Sequence, residues 1–270
     1  MIMAISNNRG STNQQTNSQQ IVKGKVRYVK SLDTTGWLWV KLYPYKNQAK
    51  DDVYLCEYTK VLLQKVPEGQ EKSGKTFFKI MEGPYTGKMA FLSDGYVGKC
   101  LIQTTRSSGA KLDVKIIGRD KKKSEIRMSE YNQLMAIMSF NGDKASITLD
   151  SDVNYKETNK NSPNYGQILH SSQIPKGVYK VMAPDFPKDK TMTGQYRTTV
   201  KGGNPNLKYD TVWFPVQYAA NHNSSFVHVG HLSEGCITVY ETTKWNSVYL
   251  YLIKNRSDKE GKYVGILEIQ

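Results

Sequence analysis

Phe226-Val-His-Val-Gly-His-Leu-Ser-Glu-Gly-Cys-Ile-Thr-Val239 decides how the chain is read. It holds two of the four histidines and one of the three cysteines. Phe226 to Gly230 alternates in character, so His228 projects from a strand on the face opposite Val227 and Val229. Leu232 to Gly235 turns the chain, and Ile237-Thr-Val239 resumes β-type sequence. A cysteine attacks a carbonyl as thiolate, so it needs a base or a positive field beside it. A histidine on the adjoining strand is a compact way to supply one. Cys236 is therefore the candidate nucleophile and His228 the candidate base. His228 is preferred to His231, which sits in the turn, because a base must be aimed by a rigid element. The amides near Gly235 and Cys236 are the candidate oxyanion donors. Ser233 is the third candidate catalytic residue, bonding within the turn or orienting a substrate. Gly230, His231, Glu234 and Tyr218 are candidate substrate contacts.

The sequence around this stretch supplies a scaffold. Downstream, Trp245, Val248, Tyr249, Leu252 and Ile253 recur at helical spacing, predicting an amphipathic helix over 242–256 with Thr242 or Thr243 as cap and Lys254 and Arg256 at its C-terminal end. Tyr263 to Ile269 reads as a last strand. Upstream, Trp213 to Tyr218 and Val178 to Met182 read as strands, the second entered through the turn Pro175-Lys-Gly177. Ala145 to Leu149 is another. Residues 155–162 read as a polar loop, and 125–138 fits either a short helix or a strand.

The first half alternates short apolar runs with Gly, Pro, Asp and Ser turns, the pattern of a small barrel or sandwich. The expected strands lie near 21–30, 36–43, 53–58, 76–80, 88–92, 99–103 and 111–117. Residues 1–20, rich in Asn, Gln, Ser and Thr, have little to bury and are expected to be a flexible tail. Arg119 to Ser124 reads as a charged linker. The domain division follows: a tail at 1–20, an all-β accessory domain at 21–122, and a second domain at 128–270. Trp37 and Trp39 share a face, as an aromatic platform or, preferably, as one core and one surface residue.

Composition narrows the function. Net charge is 38 − 24 = +14, which suits an anionic partner. No arginine-rich cluster, zinc-finger spacing or RNP-like aromatic motif accompanies it, which points away from nucleic acid. No stretch approaches the ~18 apolar residues of a membrane span. No secretory signal is legible at the start of the sequence. Cys56, Cys100 and Cys236 form an odd set without CxxC spacing, so neither a disulfide framework nor a zinc site is expected. Cys56 and Cys100 read as buried strand positions. His222, His228, His231 and Cys236 match no strong metal pattern, and no cofactor is expected. His170 and His222 read as surface residues.

Ser233-Glu-Gly-Cys236, with His228-Val-Gly230 before it and Ile237-Thr-Val239 after it, resembles the active-site motif of the L,D-transpeptidase family. Pro175-Lys-Gly177 resembles that family's upstream Pro-x-Gly landmark. The resemblance covers roughly residues 130–270. Glu234 stands where the family usually has His, Thr238 where Arg or Asn is common, and the His-to-Cys interval is short, as in compact variants from phages and antibacterial effectors. For that region the resemblance implies an L,D-transpeptidase-like β sandwich with one amphipathic helix, so the whole chain is expected to be mainly β, with the small N-terminal barrel or sandwich read from its strand pattern. It implies that the Cys236 thiolate attacks peptidoglycan stem peptides after an L-centre, releasing D-Ala through a thioester acyl-enzyme that an amine or water resolves. The expected protein is a peptidoglycan-modifying enzyme, a delivered antibacterial effector made in the cytoplasm and acting in a target periplasm or outside the cell. Its candidate protein partners are a secretion apparatus, a phage particle or an immunity protein. The alternative is a structural or adaptor protein using the same fold without catalysis. A papain-like amidase fits less well, because Cys236 runs into a strand rather than a helix.

Overall fold

A computed structural model describes residues 26–158, 160–170, 172–218, 225–256 and 260–270. The expected tail at 1–20 and the surface reading of His222 lie outside these residues. The described chain is mainly β, as its alternating pattern predicts, in two principal sheets.

The first sheet contains β1 (Val26–Val29), β2 (Trp37–Tyr43), β3 (Asp52–Cys56), β4 (Lys60–Leu63), β5 (Lys75–Ile80), β6 (Met89–Ser93) and β7 (Leu101–Ile102), ordered β3-β2-β6-β5-β4-β1-β7. Its inner face buries Leu38, Val40, Val53, Leu55, Val61, Phe78 and Ile80, the alternate residues of their strands. β4 had no counterpart among the expected strands. The strand expected over 99–103 is only β7. A helix over Asp94–Cys100 takes the residues before it, so Cys100 ends a helix rather than lying in a strand, although it is buried.

The second sheet closes into a barrel rather than the expected sandwich. Its order is β10-β16-β15-β14-β13-β17-β8-β9. These are β8 (Ala110–Ser124), β9 (Ser129–Phe140), β10 (Asp143–Asp150), β13 (Gly177–Met182), β14 (Phe214–Gln217), β15 (Ser225–Val229), β16 (Ile237–Val239) and β17 (Tyr263–Ile269). A separate hairpin, β11 (Asn154–Lys156) with β12 (Ile168–His170), occupies part of the expected polar loop. The boundary near 122 is corrected. Arg119–Ser124 is no linker but the end of β8, paired with β9 from Arg119↔Leu134 to Ser124↔Ser129. The start of β8 runs parallel to β17. The strand expected at 111–117 therefore belongs to the barrel, and its charged end is the exposed tip of a long hairpin.

The expected helix forms over Trp245–Ile253, and its five periodic residues are fully buried against the barrel core. Its caps differ from expectation. Thr242–Lys244 make a 3₁₀ turn, and the Thr242 hydroxyl donates to Gly202 O at 2.7 Å instead of capping the helix.

Two buried carboxylates of the first sheet tie it to the barrel. Glu57 accepts from the Tyr249 hydroxyl at 2.9 Å and from Ser31 N and Oγ. Glu82 accepts a fork from Arg106 at 2.7 and 2.8 Å and lies 3.5 Å from Arg256 Nη1, which also donates to Thr59 Oγ1. Arg256 thus turns into this joint rather than capping the helix. Gly261, at φ +61°, lies so close that a Cβ would fall 2.2 Å from the Glu82 carboxyl carbon. A charged cluster this dry stands only while every member is paired. Replacing Glu82 by Gln leaves two buried guanidinium groups without a carboxylate, and the expected loss is about 3–5 kcal/mol. The urea midpoint of Glu82→Gln checks this; a loss below ~1 kcal/mol, the range of an exposed pair, would contradict the role.

Candidate active site

β15 and β16 are parallel neighbours, in register Val227↔Ile237, His228↔Thr238 and Val229↔Val239. Valines 227, 229 and 239 and Ile237 enter the barrel core. His228 and Thr238 therefore share the opposite face, and Cys236 lies one alternate position before Thr238 on it. Cys236 and His228 are thus diagonal neighbours across one strand pair. Both line a cleft of about 730 Å³ together with Trp213, Phe226, Tyr218 and Glu234.

Parallel strands ordinarily need a crossover of about a dozen residues. Here residues 230–236 suffice, because they are held at almost every step. The His231 amide donates to the Tyr196 hydroxyl at 3.0 Å, and the His231 carbonyl accepts from Gln133 Nε2 at 2.8 Å. Its ring lies between Tyr196 and Tyr240. Nε2 meets Gly202 O at 3.0 Å and Nδ1 meets Ser124 Oγ at 2.7 Å. A carbonyl only accepts, so the Nε2–H tautomer follows, with Ser124 donating to Nδ1. Ser233 O accepts from Ser151 Oγ at 2.8 Å, and Ser233 Oγ donates to Cys236 O at 2.7 Å. Gly235 takes φ +92°, a left-handed conformation that glycine adopts without strain.

These contacts revise two roles. His231 is 1% exposed and bonded at both ring nitrogens, so it is an anchor of the loop and not a substrate contact. Ser233 is equally buried and closes the turn beneath the thiol; its hydroxyl does not face a substrate. Gly230, Glu234 and Tyr218 do line the cleft. Gly230 also packs tightly, since a Cβ there would lie 3.2 Å from Thr238 Cγ2. Exposed His170 sits 3.1 Å from the buried Asp150 carboxylate, which Arg119 also holds. Neither belongs to the cleft. Among the described residues no group of His, Cys, Asp and Glu is arranged to hold a metal ion, and no helix is long and apolar enough to cross a membrane.

His228 is oriented rather than free. Nδ1 meets Val229 O at 2.9 Å, so Nδ1 carries the hydrogen and Nε2 is the basic nitrogen. Nε2 points toward β16 and accepts from Thr238 Oγ1 at 3.1 Å. Trp213 stacks on the ring, with centroids 4.0 Å apart and planes at 15°. The buried Trp213 indole N–H has no hydrogen-bond partner and lies in the cleft wall. Sequence reasoning placed Trp213 only as strand packing, and nothing local marks it as the ring that covers the base.

Electrostatics keep thiol and imidazole neutral at rest. Burial pushes the Cys236 thiol up to about 11, against a hydrogen bond from the Phe226 backbone; Glu234 raises it further and Lys188 lowers it. Burial brings His228 down to about 4, with the Val229 hydrogen bond opposing and Lys188 adding to the fall. His231 falls to about 4 for the same first reason, with Gly202 opposing and Arg127 adding.

Comparisons of the chain with protein-family models, with curated proteins and with solved structures give no match. The resemblance to L,D-transpeptidases therefore rests on the motif residues alone.

The two buried histidines set a pH dependence of stability. Their folded pKa values lie below the ordinary 6.5, so between 6.5 and about 4 the unfolded chain binds more protons. Their contribution is complete above pH 6.5 and is lost as pH falls through that window, on the order of 3 kcal/mol per histidine. Urea midpoints from pH 7.5 to 4.5 should fall steeply in the wild type, with the slope roughly halved in His228→Ala. A slope unchanged in that variant would show that His228 titrates normally in the folded protein.

Proposed function

We propose that this protein is a cysteine acyltransferase acting on peptide carbonyls, with the stem peptides of peptidoglycan as substrate class. The observation that carries the reading is the Nδ1–Val229 bond. It fixes the tautomer that leaves His228 Nε2 as the base and aims it at the strand face bearing Cys236. A nucleophile, a base and a third group orienting the base form the constellation of thiol-dependent acyl transfer. In the resting state Thr238 satisfies Nε2, and catalytic hydrogen bonds commonly tighten only once substrate is bound.

In the proposed cycle Nε2 takes the thiol proton as sulfur bonds to the carbonyl carbon. The C–N bond to the leaving D-amino acid breaks, and His228 returns the proton to that amine. Water or an acceptor amine then attacks the thioester, again through His228, and the thiol is regenerated. The amides around Gly235 and Cys236 are the candidate donors to the oxyanion. The net positive charge favours an anionic wall polymer. As a delivered antibacterial effector, the enzyme would meet that polymer in a target periplasm or outside the cell, and secretion-apparatus, phage-particle or immunity partners would belong to its delivery.

Two observations favour a second reading, a binding or adaptor protein that retains the cleft without chemistry. Thr238 occupies the basic nitrogen, and the thiol is raised rather than activated. Incubation with tetrapeptide-stem muropeptides separates the two readings by mass spectrometry. The acyltransferase should release D-Ala. Cys236→Ala should abolish release, and His228→Ala should lower it by 10²-fold or more, the usual worth of a general base. Thr238→Val should retain activity or raise it. Release undiminished in Cys236→Ala would remove Cys236 as the nucleophile, and no turnover by wild type would leave the adaptor reading.

A further inference from the structure

A second concavity, of about 870 Å³, lies beside the candidate site where β2 and β6 part company. Their pairing ends at Lys41↔Phe91, and the earlier residues of β2 form one wall. Trp39 and Tyr54 are direct cross-strand partners, so their side chains lie together on one face of the sheet. They are 47% and 46% exposed, an unusual amount of open aromatic surface for a strand pair. Lys41 lies over the Trp39 and Tyr45 rings at 5.3 and 4.6 Å and fixes the platform before any ligand arrives. Tyr96, on the helix after β6, is 52% exposed and lines the same groove. At its inner end stands Trp37, 5% exposed, whose buried indole N–H has no hydrogen-bond partner. Buried donors are almost always satisfied, so one left unpaired at a groove points to a ligand acceptor.

Polar groups complete the groove. Asp33 and Asp189 each spend Oδ1 on a local turn, accepting from Thr35 and Thr191 at 2.9 Å, which leaves Oδ2 to accept from a ligand. Flat aromatic rings beside carboxylates and an indole donor suit a sugar. The axial C–H face of a pyranose stacks on the rings and its equatorial hydroxyls meet the polar groups. Asp33 and Asp189 offset two of the three wall lysines, Lys41, Lys188 and Lys190, so the groove is not the strongly cationic track a phosphate backbone needs. The lining of the groove runs on in sequence into that of the thiol cleft. Lys188, Asp189 and Lys190 line the groove, and the next residues, Thr191 to Thr193, line the cleft. Lys188 stands between them, its ammonium 4.3 Å from the Phe226 ring.

The geometry points to a glycan-binding groove that holds a β-linked pyranose chain. Resting on the function proposed above, this is the glycan strand of the same wall polymer, with its stem peptide reaching Cys236. The test uses the full-length protein with chitotetraose and cellotetraose, followed by tryptophan fluorescence and calorimetry. Saturable binding is expected, weakened about tenfold or more in Trp39→Ala and in Tyr54→Ala, in line with the loss of one stacking contact. Cys236→Ala should bind the sugars as wild type does. Both aromatic side chains are half exposed, so these variants keep the fold. Failure of either sugar to bind, binding unchanged in both aromatic variants, or binding of single-stranded oligothymidine in place of sugar would overturn the groove assignment. Sugar binding without muropeptide turnover would leave the groove standing and remove the acyltransferase. Turnover without sugar binding would do the reverse.

Discussion

The site depends on one constraint, the return of the chain from β15 to a parallel β16 within residues 230–236. A connection this short has no helix to support it. It is instead pinned by His231, which bonds through its amide, its carbonyl and both ring nitrogens to four separate parts of the barrel. Ser233 and Gly235 then set the turn beneath the thiol. The parallel register follows, and with it the placement of His228 diagonal to Cys236 on one face. The short His-to-Cys interval is therefore a geometric property of the fold, because residues 230–236 alone return the chain to the neighbouring parallel strand. It also explains why the histidine nearest the cysteine in sequence is not the one facing the cleft.

The same compactness carries an electrostatic consequence. The loop buries His228, Thr238 and much of the Cys236 turn, so both reactive groups are desolvated and rest neutral. Such a pair is inert toward bulk solvent. In the proposed reaction, proton transfer from sulfur to Nε2 would become favourable only when a bound carbonyl accepts the developing charge and turn amides hold it. The Thr238 hydroxyl is the competitor at Nε2. The scaffold supports this arrangement from a distance: Glu82 and Glu57 lock the first sheet to the segment around Arg256 and to Tyr249. That joint holds the aromatic groove beside the cleft.

Much of the fold was legible because its signals are local. The helix over 245–253 was read from its own apolar spacing, and the strands from period-two alternation. Trp37 in the core and Trp39 at the surface agree with the preferred expectation for that pair. What was missed depends on partners far along the chain. His231 looks like a turn residue because Ser124, Gln133, Tyr196 and Gly202 lie 29 to 107 residues away. The run Arg119–Ser124 reads as a linker because charges dominate it, yet Arg119 to Lys123 are mostly exposed in the hairpin and carry charge readily, while Ser124 turns inward. The barrel closure through β8 and β17 is a parallel pairing across the whole domain, and no local pattern announces it. Of the candidate site, Cys236 and His228 were found from residue type and spacing. Trp213 was not, since a stacking partner from another strand leaves no mark in sequence.

The central claim, that Cys236 carries an acyl group, is tested most directly by intact-protein mass spectrometry after rapid quench with tetrapeptide-stem muropeptide. The account expects a wild-type adduct equal to the substrate mass less one D-Ala, mapped by digestion to Cys236 and missing from Cys236→Ala. No adduct under conditions of saturating substrate, or an adduct mapped to Cys56 or Cys100, would contradict it.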